Sequence, residues 1–527
     1  MTRFADPREE VDGRNRELRR YTFPASPSSR KLFNDYIELT GDAQVEGWKK
    51  IDRAQYETTR EALRLRAEVA CSEAEARMVE LLARTSRRRS LDLQSVEHVS
   101  AGPSYARFAW ILAVAGTDTA EDIVTLQEYF AAASTWFAES LIRYIATSAE
   151  SSLLNIQPAA MHSRMDAGST RFRWICGIFA DAIDNWATER GGDAAEIFGG
   201  GRTTRFAELI RDALPLPDER VLLGLHPKLI DALTADPKQP SAFARLIEGN
   251  GAETTPLVKI DGRVHVGNAS ALVFGLETVL IAGIQATLGS GAQGDAFEYA
   301  TQYIADRLLP PSISTARDSY VSDTMTGSEG DEVDLDVFGK ALEVIVETKS
   351  HLPAKDAASA AASYQELLKA NRQIRRRVDR LLSGKWIRRS RVSRSDYVGG
   401  IIVSLHDYTN QAWKPESMVE SGTDAFAVLP IQAFAMVLGC VESPAELSEY
   451  LKLRTAIGFR QVSGGDELEI VLGWLSGTRA EDIPDDAAAK VQFRPYSIDT
   501  DSLLAIEWAD RSAWRRYLIR ASRAIHK

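Results

Sequence analysis

The stretch from Asp331 to Ser350, DEVDLDVFGKALEVIVETKS, constrains this chain more than any other. Successive side chains of a β-strand point to opposite faces. Over Glu332 to Phe338 that alternation puts Val333, Leu335 and Val337 on one face and Glu332, Asp334 and Asp336 on the other. From Ala341 to Lys349 the pattern repeats, with Leu342, Val344 and Val346 against Glu343, Ile345, Glu347 and Lys349. A two-residue turn at Gly339-Lys340 predicts a hairpin in which Asp334 lies opposite Ile345 and diagonal to Glu347, a backbone separation of roughly 7–8 Å.

Two carboxylates leaning together across that gap can hold one cation. The Thr348 carbonyl offers a further hard oxygen of the kind Mg²⁺ accepts, with Mn²⁺ as a substitute. Lys349, two residues beyond Glu347, points to the same side. Phosphodiester hydrolysis wants this set. It needs a water made nucleophilic near neutral pH and a counter-charge at the developing pentacoordinate phosphate. A lysine aimed at the same point orients the water or stabilises that charge.

The flanking sequence adds to the reading. Asp295 to Leu309 predicts a helix stopped by Pro310-Pro311, with Phe297, Ala300, Ile304 and Leu308 on its apolar face. Glu298 lies beside that face and reaches inward toward the site, unless Asp295 and Glu298 simply form a capping box. The preceding Gly289 to Gly294, GSGAQG, reads as a loop. Lys355 to Arg380 reads as a helix, with Tyr364 and Gln365 as polar residues near the site. From Lys369 to Arg394 the chain carries eleven Lys or Arg against one acid, Asp379. Basic side chains gain by releasing counterions from nucleic-acid phosphates, which makes Arg372, Arg375, Arg376, Lys385, Arg388 and Arg389 candidates for tracking a backbone. Trp386 is a stacking residue or a buried anchor. Gly399 to His406 is a buried strand. His351 and His406 are isolated and make neither a metal set nor a base assignment.

Glu332-Val333-Asp334, thirteen positions before Glu347-Thr348-Lys349 and preceded by a helix bearing Glu298, resembles the PD-(D/E)xK nuclease superfamily with its restriction-endonuclease-like core. The resemblance covers roughly residues 290 to 410. It implies that Asp334 and Glu347 bind metal, that Lys349 is the catalytic lysine and that Glu298 is the acid of the first core helix. Val333 stands where the family pattern has proline, and Asp336 competes as a ligand. The implied activity is Mg²⁺-dependent hydrolysis of nucleic acid, DNA rather than RNA, by an endonuclease. A role in bacterial antiviral defence or restriction is a fold-level expectation. The alternative is a nucleic-acid-binding or assembly module that keeps the nuclease-like fold without turnover.

The remainder of the 527 residues bounds this reading. Such a length exceeds one hydrophobic core, so several domains are expected. A mostly helical regulatory or partner-binding region over 1–255 precedes an α/β nuclease domain over 256–470, a mixed central sheet flanked by helices. A mixed α/β segment, 471–527, packs on that core. The helical reading rests on Asp52 to Ala83 and Thr119 to Ala149, and Pro256 to Val266 reads as a hairpin turning at Asp261-Gly262. Gly199-Gly200-Gly201 is no phosphate loop, because no Gly-Lys-Ser/Thr follows; it reads as a flexible connection. The tryptophans Trp110, Trp136, Trp174 and Trp186 read as core. A net charge of -11 opposes gross attraction to nucleic acid and leaves a local basic groove open. Cys71, Cys176 and Cys440 show no paired spacing, which fits a reducing cytoplasm. No signal peptide or membrane span is expected. The N-terminal helices are the expected surface for a protein partner or a second copy.

Overall fold

The computed structural model describes residues 22–46, 52–84, 173–212, 219–235, 254–260, 263–266, 275–317, 320–322, 333–352, 357–383, 386–388, 396–405, 426–457, 467–483 and 511–524, with isolated positions between 8 and 19 and between 128 and 146, and Leu272. Its contacts divide the chain into two compact units. One holds residues 1–165, 234–269 and 354–360; the other holds 166–233, 270–353 and 361–527.

In the first unit, α1 (Pro27–Glu46) and α2 (Arg53–Arg84) pack lengthwise. Phe33, Tyr36 and Ile37 meet Leu63 and Ala67, with Ala138, Ile142 and Ile145 closing the core. Asp52 starts α2 by accepting hydrogen bonds from the N–H groups of Ala54 and Gln55, the work of an N-cap. The described residues between 128 and 146 are helical, as expected, and Trp136 is buried. A small sheet joins β1 (Thr234–Ala235), β2 (Leu257–Ile260) and β3 (Arg263–Val266). Ile260 pairs with Arg263 in this antiparallel pair; Asp261-Gly262, where the turn is expected, lies outside the described residues.

The second unit begins with α3 (Arg173–Arg190), α4 (Gly192–Phe198), α5 (Arg202–Asp212) and α6 (Pro227–Ala232), followed by α7 (Leu276–Leu288) and α8 (Ser290–Leu308). These early helices belong with the sheet, so the division of the chain differs from a boundary near residue 255. The physical reason is visible in α3, where Phe179, Ile183 and Trp186 are buried and Trp186 donates to Asp295 of α8. Gly199 to Gly201 forms a turn between α4 and α5. The start of α5 is already occupied: Asp184 accepts from the backbone N–H groups of Thr203 and Thr204, where a phosphate loop would hold its anion.

The sheet follows: β4 (Ile313–Ala316), β5 (Tyr320–Ser322), β6 (Leu335–Gly339), β7 (Leu342–Lys349), α9 (Ala357–Leu382), β8 (Trp386–Arg388), β9 (Tyr397–Ser404) and β10 (Phe426–Pro430). Five of these strands form one mixed sheet in the order β10-β9-β7-β6-β4. β4, β6 and β7 run as an antiparallel meander, and β7, β9 and β10 are parallel. A parallel neighbour needs a crossover, which α9 supplies between β7 and β9. Leu367, Ala370, Ile374, Val378 and Leu381 of α9 cover one face, against Ile345, Ile402 and Val428. At Gly400 a side chain would lie 2.1 Å from Cγ2 of Ile374, so the helix seats directly on the backbone of β9. The mixed α/β architecture expected for this region is present. β5 and β8 make a separate two-stranded ribbon in which Ser322 faces Trp386.

Behind the sheet come α10 (Ile431–Cys440), α11 (Pro444–Ile457), α12 (Glu467–Leu475) and α13 (Arg511–Ala524). Trp514 of α13 is buried and donates to the Met436 carbonyl, and Arg515 pairs with Glu442 and Glu446. The described part of the C-terminal segment is thus helical and packed on this unit; residues 484–510 lie outside the described residues. The three cysteines are buried free thiols. Among the described residues, no helix is long and apolar enough to cross a membrane.

Candidate active site

The hairpin of β6 and β7 turns one residue later than the sequence predicts. Gly339 pairs with Leu342, so the turn is Lys340-Ala341, and Asp336 rather than Asp334 faces Ile345. The combined slip of two keeps every side chain on its predicted face. Its effect falls on Asp334. Continued by one pair beyond Leu335 and Val346, the register sets Asp334 across from Glu347 instead of diagonal to it. The physical reason is the turn itself: Ala341 takes a left-handed backbone, φ 64°, which frees Gly339 to remain in the strand.

Asp334 sits at the bend just before β6. Its Oδ2 accepts two hydrogen bonds from Thr348, from the backbone N–H at 2.7 Å and the hydroxyl at 3.0 Å. Burial, and then the negative charge of Glu347, push the Asp334 carboxyl above the usual carboxylate range; the Thr348 N–H and Lys349 pull the other way. Two negative groups are therefore held near one another in a largely dry place. Glu347 is the deeper, its side chain 5% exposed. The Nζ of Lys349 lies 2.9 Å from Glu347 Oε1, with the lysine side chain 16% exposed and so nearer to solvent than the glutamate. The second Glu347 oxygen, Oε2, accepts from Arg377 of α9, itself buried.

The sequence candidates accordingly fall into two groups. Asp334, Glu347, Thr348 and Lys349 come together at the ends of β6 and β7. Asp336 is fully buried within β6 between Ala316 and Ile345. Glu298 is half-buried on α8, about 140° round the helix from Gln293. It is Gln293, a residue the sequence reading passed over, that reaches the end of β7 by donating to the Ser350 carbonyl. The reason is that GSGAQG is not a loop: α8 starts at Ser290 and runs straight through it. The capping-box reading of Asp295 falls with it, because Asp295 lies inside the helix and binds Trp186 and Arg190. Burial holds the His351 imidazole below its usual value.

On its outer side α9 lines a shallow groove of about 500 Å³ with Arg372, Arg375, Arg376, Asp379, Arg380 and Ser383. Arg388 ends β8 opposite Tyr320, while Lys385 and Arg389 lie outside the described residues.

Among the described residues no group of three or more His, Cys, Asp or Glu side chains is placed to hold a metal ion. A site of two carboxylates and a main-chain carbonyl is nonetheless the kind Mg²⁺ uses, since that ion keeps several waters and takes only one or two carboxylates. The donors at hand are hard oxygens, and a cation beside them would relieve the repulsion from Glu347 that, after burial, raises Asp334. On donor chemistry the residues fit. Comparison with family models, with curated proteins and with solved structures found no match.

Proposed function

We propose that this protein is a Mg²⁺-dependent nuclease of the PD-(D/E)xK type, acting on DNA in preference to RNA, with restriction or antiviral defence as its setting. The observation that carries the reading is the meeting of Asp334, Glu347 and Lys349 at the ends of two adjacent strands, in a dry site open at the lysine. The order helix, three-stranded meander, crossover helix and parallel strand, from α8 to β9, also accords with the restriction-endonuclease-like core that the sequence resembles.

In this reading Asp334, Glu347 and the Thr348 carbonyl hold the cation. When bound, the cation supplies an activated water and a counter-charge at the phosphate. Lys349, more exposed than Glu347 and Arg377, would turn from Glu347 toward the scissile phosphate and steady the charge that develops there. Thr348 fixes the Asp334 carboxylate, which would hold the cation, by two hydrogen bonds to Oδ2. Arg372, Arg375 and Arg376 hold the flanking backbone as charge-assisted phosphate contacts.

Purified protein in Mg²⁺ or Mn²⁺ is expected to cut DNA, and Lys349→Ala to lower the rate by about 10²–10³-fold. No cleavage of DNA or RNA, or cleavage that survives both Asp334→Ala and Lys349→Ala, refutes the proposal. The second reading, a binding module without turnover, draws on the two cations already holding both Glu347 oxygens. Nucleic-acid binding indifferent to Mg²⁺, with no metal-induced rise in Tm, would favour it.

A further inference from the structure

Arg377 belongs to the wrong face of its helix for a surface arginine. Its neighbours Arg375, Arg376 and Arg380 line the outer groove, whereas Arg377 shares the inward side with Ile374, Val378 and Leu381. It is 5% exposed. An arginine in such a stripe is costly to bury, and an apolar residue there is commonly neutral or better for stability. Stability alone therefore gives no reason for it. What it touches is Glu347 Oε2, on the carboxylate that the proposed function assigns to the metal.

We propose that Arg377 is a positioning residue for that site: it anchors Oε2 of Glu347 and supplies the counter-charge that stands in for a divalent cation, and so sets how tightly the site takes one. Asp334 and Glu347 are balanced by Lys349 and Arg377, two anions against two cations. An arriving divalent cation brings the local charge into excess. Lys349, near solvent, can turn away; Arg377, held in the core by α9, cannot. Its charge stays beside the cation and opposes it, while its hydrogen bond keeps the glutamate in place.

This inference rests on the metal-site reading, and the experiment separates the two. Mn²⁺ is titrated by calorimetry into the full chain with no nucleic acid present. Arg377→Gln removes the charge and keeps a donor for Glu347, and is expected to tighten Mn²⁺ binding at least about tenfold. Arg377→Lys keeps the charge and is expected to hold the wild-type affinity within about threefold. Unchanged or weaker binding by Arg377→Gln overturns the inference. Should Arg377→Gln not fold without metal, Mn²⁺ must restore its circular-dichroism spectrum, since the cation replaces the missing charge; a chain that stays unfolded overturns it equally. Wild-type protein that takes up no Mn²⁺, or uptake that survives Asp334→Asn, removes the metal site and this inference together. Uptake lost in Asp334→Asn but indifferent to Arg377→Gln sinks this inference alone.

Discussion

Glu277 makes the folding of the second unit depend on pH in a direction that can be worked out in advance. It lies in the first turn of α7, fully enclosed, where Gln432 of α10 donates to Oε1 and the Cys176 thiol of α3 to Oε2. Burial pushes its carboxyl from 4.5 up to about 7, and the hydrogen bonds from Gln432 and Cys176 only partly offset that. The folded chain therefore holds this proton where the unfolded chain has released it. The resulting stabilisation is fully present below pH 4.5 and is lost as pH rises through about 7. Each tenfold change in proton affinity is worth about 1.4 kcal/mol, so the whole window carries about 3 kcal/mol. Roughly 1.4 kcal/mol of it falls between about pH 6 and about pH 8.5. Glu277→Gln keeps an acceptor for Gln432 and removes the titration. Urea unfolding at the two pH values, taken as the difference between wild type and variant, isolates this one group from the other titrating side chains. Wild type should lose about 1.4 kcal/mol relative to Glu277→Gln over that range. Parallel pH profiles for the two chains would refute the reasoning.

Other perturbations follow the same logic. Asp334→Asn should raise Tm near neutral pH in the absence of metal, because it removes a carboxylate whose charged form burial and Glu347 both disfavour, while abolishing any Tm rise caused by Mn²⁺. Gly400→Ala should cost about 1–3 kcal/mol by pressing on Ile374, and Ile374→Ala in the same chain should recover part of that loss in a double-mutant cycle. Glu467→Ala should cost about 3–5 kcal/mol, since it strips both carboxylate contacts from the buried Arg454 guanidinium and the acceptor from Tyr450. Ala341→Gly should stabilise the β6–β7 turn by about 1 kcal/mol, read as a rise in Tm, because glycine takes the left-handed backbone without strain.

The alternating acidic hairpin was legible because a period of two survives any even slip. Val333, Leu335 and Val337 could be assigned to a face without knowing where the chain turned. The turn was not legible. Gly339-Lys340 looked the better turn on residue preference, and the chain instead strains Ala341 and leaves Gly339 paired with Leu342. That choice is tertiary in origin, since a side chain on Gly339 would meet Pro444 of α11 at 2.6 Å. Glycine was likewise misleading at the start of α8. In GSGAQG the loop propensity of three glycines was overridden by burial of Ala292 and Gln293 against the rest of the unit.

Arg377 had a signal that composition concealed. Within a run of eleven basic residues each arginine looks like its neighbour, and charge counting gives no reason to set Arg377 apart. Helical periodicity separates them. Positions 370, 374, 378 and 381 define the inward stripe at three- and four-residue spacing, and residue 377 falls inside it while 372, 375 and 376 fall outside. One helix therefore presents arginine in two different dielectric settings a single residue apart. On the wet side, any contact Arg376 made with a phosphate would be weakened by salt. On the dry side, Arg377 holds one carboxylate oxygen with little screening. The two kinds of contact should part experimentally: raising salt should weaken nucleic-acid binding through the outer arginines while leaving the Arg377–Glu347 pair, and any cation affinity it governs, nearly unchanged.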